Sequence, residues 1–111
     1  MKSPIYSFVC EYAASGISRL HMPGHKGIGK LGIEALDLTE IKGADSLFSA
    51  DGIIYESECE ASRLFDTAHS FYSTEGSTLA IKAMLALAVC SSKSKGKATV
   101  LASRNAHKSF V

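Results

Sequence analysis

The stretch from 70 to 102, SFYSTEGSTLAIKAMLALAVCSSKSKGKATVLA, decides the fold. Ser70-Phe71-Tyr72-Ser73 has the composition of a short strand, Gly76-Ser77-Thr78 that of a turn able to cap a helix, and 79–90 is a run of helix formers. A polar basic loop at 91–97 leads into Ala98-Thr99-Val100-Leu101-Ala102, a second candidate strand rich in β-branched and apolar residues. Strand, helix and strand in this order predict a βαβ unit with a right-handed connection, and with it an α/β fold built on a mainly parallel sheet. Between Leu79 and Cys90 the only polar side chain is Lys82, so this helix is apolar nearly all round and requires cover on most sides. Parallel strands are normally buried on both faces, and the chain carries too few elements to close such a sheet. The pattern therefore predicts the front part of a larger α/β domain, with Phe110-Val111 expected to be a cut rather than a finished end.

Toward the N-terminus, Ser3-Pro4 supplies a cap followed by proline at the first helical position, and Ile5, Phe8, Val9 and Tyr12 recur at helical spacing, predicting a helix over 4–14. HMPGHKGIGKLG at 21–32 holds four glycines and a proline and is read as a loop. Residues 37–47, DLTEIKGADSL, show no period, and Asp51-Gly52 marks a turn. In IIYESECEASRLFD the apolar spacing predicts a helix, with Ser57 and Glu60 as a capping box unless the helix begins a few residues earlier.

Composition excludes several function classes. Twelve basic against eleven acidic residues give a net charge of +1, which provides no field to gather nucleic acid or an anionic membrane. No apolar run approaches the ~18 residues of a membrane span, and the first residues lack a secretory signal, so a soluble, cytoplasmic protein is expected. Cys10, Cys59 and Cys90 are odd in number and widely spaced, which predicts reduced, mostly buried thiols rather than a disulfide framework.

Three groups of residues are candidates for chemistry. Gly76-Ser77-Thr78 stands where the predicted strand meets the helix, and the free N–H groups of a first helical turn with hydroxyls beside them suit a phosphate, although Ser and Thr are also ordinary caps. It is neither a Walker A loop nor a dinucleotide turn. His21 and His25, with His107, have metal-ligating side chains, but Pro23-Gly24 prevents the helix that would put the first two on one face, and no metal site is expected. Arg104-Asn105-Ala106-His107-Lys108-Ser109 follows the second predicted strand, at the end where ligands bind in open α/β sheets; a solvated basic loop is the alternative.

Taken together, HMPGHKG at 21–27, DLTEIKGADSL at 37–47, GIIYESECEASRLF at 52–65, HSFYSTEGST at 69–78 and RNAHKS at 104–109 resemble the N-terminal part of the Orn/Lys/Arg decarboxylases, pyridoxal-phosphate enzymes of fold type I. The resemblance implies an N-terminal helix and loop segment over 1–50, and over 51–111 the incomplete beginning of a cofactor-binding, aminotransferase-like large domain. It implies that Gly76, Ser77 and Thr78 hold the cofactor phosphate and that His107 stacks on the pyridine ring. The cofactor would act as the electron sink for loss of carbon dioxide from arginine, lysine or ornithine. Lys108 follows a histidine, as the family's cofactor lysine does, but Arg104-Asn105 and Ser109 mark this as the earlier, ring-stacking motif. The covalent lysine would lie beyond Val111, so this chain alone is expected to be inactive and not to capture the cofactor covalently. A homodimer or higher homo-oligomer is implied for the full-length enzyme. Two positions depart from the family pattern. Glu75 replaces a usually neutral residue and would repel a phosphate dianion, and Asp66-Thr67 replaces Gly-Ala. The alternative is a non-catalytic phosphate-ligand-binding or interaction module that pairs with a full-length relative.

Overall fold

The computed structural model describes residues 2–92 and 98–110. The chain divides into two compact units, Met1–Tyr72 and Ser73–Val111.

In the first unit, α1 spans Pro4–Ala14 and α2 spans Ile53–Phe65, and the two helices pack on each other. α1 begins with proline at its first turn, where a missing N–H costs nothing, and Ser3 contributes its carbonyl to Ser7 N–H at 2.9 Å rather than a side-chain cap. Between the helices the chain is irregular apart from a 3₁₀ turn at Glu34–Leu36. Arg19 ties that turn to α1: its guanidinium donates to the carbonyl oxygen of Ala35 at 2.6 Å and lies 5.2 Å from the centre of the Tyr12 ring.

α2 starts four residues ahead of Ser57, so the expected capping box does not form. Ser57 sits inside the helix with its hydroxyl 2.8 Å from the Tyr72 hydroxyl, and Glu60 pairs with Arg63 at 2.8 Å. The N-terminus of α2 is held from a distance instead. Asp45, at φ 64°, accepts hydrogen bonds from the backbone N–H groups of Ser46 (2.7 Å), Gly52 (2.9 Å), Ile54 (3.1 Å) and Asp51 (3.4 Å). α2 ends at Asp66, which takes the left-handed conformation at φ 51° while Thr67 N–H returns to Ser62 at 3.0 Å. A glycine enters that conformation without a Cβ penalty, so the Asp66 departure falls on a position with a backbone reason to prefer glycine.

In the second unit, α3 spans Gly76–Ser91 and packs against a 3₁₀ turn at Lys108–Phe110. The expected βαβ unit and its parallel sheet are not formed: among the described residues there is no strand, and every regular element is helical. The physical reason lies in where the backbone groups go. Tyr72 N–H, which a ladder would require, donates to the buried Glu58 carboxylate at 2.8 Å, and Ser103 carbonyl is used in a turn by Ala106 N–H at 2.9 Å. Residues 70–73 and 98–102 run without regular structure, because a short extended segment is not stable without a paired neighbour. Most of the predicted loop at 91–97 lies outside the described residues.

Apolar burial is low throughout. Among the described residues no hydrophobic side chain is buried, and α3 leaves Met84 56% and Leu87 68% exposed. The thiols follow the same pattern and correct the expectation of buried cysteines: Cys10 and Cys59 are half-buried and Cys90 is exposed.

Candidate functional site

The residues singled out in the sequence fall at both ends of the second unit's chain, and the fold brings part of them together. Gly76, with φ 63°, Ser77 and Thr78 form the first turn of α3, inside the helix rather than ahead of it, and the residue before them is Glu75. First-turn N–H groups have no intrahelical acceptor, and together with the Ser77 and Thr78 hydroxyls they make a donor set suited to an oxyanion. Glu75, at the N-cap position, makes no side-chain cap hydrogen bond. His107 directly precedes the 3₁₀ turn at Lys108–Phe110, whose carbonyl-to-amide closure is His107 to Phe110 at 3.0 Å.

Ser109 joins the two segments. Its side chain is only 2% exposed, its hydroxyl lies 3.0 Å from Thr78 Oγ1 and 2.8 Å from His107 Nδ1, and its backbone N–H donates to the same Nδ1 at 3.3 Å. A backbone N–H can only donate, so Nδ1 is an acceptor and the ring proton sits on Nε2. The Ser109 hydroxyl must then also donate to Nδ1, which leaves its lone pairs to receive the Thr78 hydroxyl. The result is a directed chain from Thr78 through Ser109 to His107. In the sequence Ser109 serves only to mark the RNAHKS motif, and its contact with Thr78 is visible only in the fold.

The glycine-rich loop of the first unit is organised by side chains rather than by regular structure. Tyr12 hydroxyl lies 2.8 Å from His21 Nε2, His21 Nδ1 contacts the Met22 carbonyl, and Lys26 Nζ donates to the His21 carbonyl at 2.6 Å. His25 accepts Gly27 N–H on Nδ1 at 3.0 Å and donates from Nε2 to Asp37 at 3.1 Å. His21 and His25 thus have separate partners, and among the described residues no group of three His, Cys, Asp or Glu side chains is placed to hold a metal ion. Between α1 and α2 lies an open apolar groove of about 540 Å³, with Ile5, Tyr6, Val9, Leu64 and Phe65 in its lining. Lys2, Ser57, Glu60 and Tyr72 also line it.

Comparison with known proteins gives the chain a family. The sequence model of the Orn/Lys/Arg decarboxylase major domain matches residues 3–111, and the chain belongs to that family. It is 32% identical to an arginine decarboxylase of Bacillus subtilis over 99% of its own length and 24% of the relative's. It is also 32% identical to the uncharacterized protein YaaO of the same organism, over 98% of this chain and 24% of that one. An arginine decarboxylase of Bacillus cereus matches at 32% as well, over 25% of its length. The chain therefore spans about a quarter of the length of the curated relatives it matches. No solved structure matches it significantly. The family generally depends on pyridoxal phosphate. No helix among the described residues is long and apolar enough to cross a membrane.

Proposed function

We propose that this chain supplies the phosphate-holding turn and the ring-facing histidine of a pyridoxal-phosphate-dependent decarboxylase of a basic amino acid, and is inactive by itself. The observation that carries this is the meeting of Thr78 and His107 at Ser109, which puts an oxyanion donor set and an imidazole in one cluster. When bound, the cofactor supplies the electron sink into which the bond to the departing carboxylate is drained. The roles of this chain's residues follow from their chemistry. Ser77 and Thr78 donate to phosphate oxygens from the positive end of the α3 dipole, Gly76 leaves the approach free of a side chain, and His107 offers a flat ring. Glu75 works against them by placing a carboxylate next to the dianion.

In this reading 51–111 begins the cofactor-binding domain and 1–50 is the helix and loop segment that precedes it. Lys108 lies in the 3₁₀ turn directly after the ring histidine. Adding pyridoxal phosphate to the isotopically labelled chain is expected to shift the amide signals of Ser77 and Thr78 and the ring signals of His107. Borohydride treatment should leave Lys108 unmodified. The Glu75→Asn variant should bind about fivefold more tightly, the gain from removing one like charge about 4 Å away in a water-like medium. Unshifted Ser77 and Thr78, or a reduced cofactor adduct mapped to Lys108, would overturn the assignment.

A second reading is favoured by the apolar exposure of α3: a non-catalytic module that pairs with a full-length relative. It predicts co-elution with a full-length arginine decarboxylase in size-exclusion chromatography, and separate elution of the two counts against it.

A further inference from the structure

The geometry points to Ser109 as the positioning residue of the cluster: its buried hydroxyl fixes the tautomer of His107 and holds the ring against the Thr78 turn. This deepens the phosphate-site reading and rests on it for its functional meaning, although the hydrogen-bond chain itself does not depend on a ligand.

The argument uses three contacts and one burial. Ser109 is 2% exposed although the residues beside it in the sequence are all exposed, so its environment comes from α3 rather than from its own turn. Two donors of the same residue, backbone N–H at 3.3 Å and hydroxyl at 2.8 Å, converge on His107 Nδ1. In the neutral ring both place the lone pair on Nδ1 and therefore the proton on Nε2. The Thr78 hydroxyl at 3.0 Å completes the hydroxyl's coordination. Should Thr78 turn its proton toward a phosphate, Ser109 keeps both donations to His107, because neither passes through Thr78. The ring's orientation is thus set independently of whether the turn is engaged.

Nuclear magnetic resonance of the full chain tests this directly. In long-range proton–nitrogen spectra at a pH where the imidazole is neutral, His107 is expected as a single tautomer with its proton on Nε2, and its ring protons should show contacts to the Thr78 methyl group. Ser109→Ala should lose the Thr78 contact and mix the tautomers, while Ser109→Thr, which keeps the hydroxyl, should restore both. A wild-type ring carrying its proton on Nδ1, or one without the Thr78 contact, overturns the assignment before any variant is made. An unchanged spectrum in Ser109→Ala does so as well. Should Ser109→Ala lose its helical signal, the wild-type tautomer and the Ser109→Thr spectrum still decide. Pyridoxal phosphate added afterwards addresses the other question: unshifted Ser77 and Thr78 signals beside an intact Nε2 tautomer would sink the cofactor reading and leave the positioning role standing.

Discussion

Titrated with urea, the 111-residue chain is expected to lose its helical circular dichroism gradually, with no sigmoidal transition. Among the described residues no hydrophobic side chain is buried. Full burial of one Val, Leu, Ile, Phe or Met side chain contributes about 1.5–3 kcal/mol. Net stabilities of domains are only about 5–15 kcal/mol, so without such side chains neither unit has a core of its own to make its elements melt together. Each local set of contacts, α1 against α2 or α3 against its 3₁₀ turn, should loosen on its own. A sharp transition with the slope of a full-sized domain would refute this, and so would coincident loss of amide protection in both units.

The second large effect belongs to Asp45. Partial desolvation, the largest single influence, raises its carboxyl pKa, but the N–H groups of Gly52, Ser46, Ile54 and Asp51 together outweigh it and bring the group from the ordinary 3.8 down to about 2. A carboxyl depressed in the folded state stabilises that state fully above its unfolded value and loses the contribution as pH falls through the folded value. The start of α2 should therefore be protected from amide exchange above pH 3.8 and released between there and about pH 2. Asp45→Ala should abolish the protection of Gly52 and Ile54 at all pH values, because both amides lose their acceptor, whereas exchange within α1 should be unaffected. Equal protection in the variant and the parent would remove Asp45 from this role.

Part of this structure is legible in the sequence. Ser3-Pro4 with its apolar spacing gives the start of α1, and the unbroken run of helix formers from Leu79 to Cys90 gives α3, since both signals are local. The start of α2 is harder to read because its anchor stands seven residues upstream of Gly52: Asp45 looks like one more polar residue in an aperiodic stretch until the loop folds back. The two supposed strands fail for a related reason. Composition reports a preference for extended backbone, while a sheet needs partners, and Tyr72 N–H finds a carboxylate first. In the candidate site, the Gly-Ser-Thr turn and His107 stand out by residue type. Ser109, 31 residues from Thr78, does not, because its importance comes from a contact that no local pattern encodes.

α3 has a consequence for the lifetime of the chain in a cell. A sixteen-residue helix that keeps Leu79, Met84, Leu87 and Val89 open to water displays what holdase chaperones and quality-control proteases recognise. Unless something covers that surface, triage rather than chemistry sets how much of this protein persists, and its steady-state abundance becomes a measure of whether α3 has found a cover.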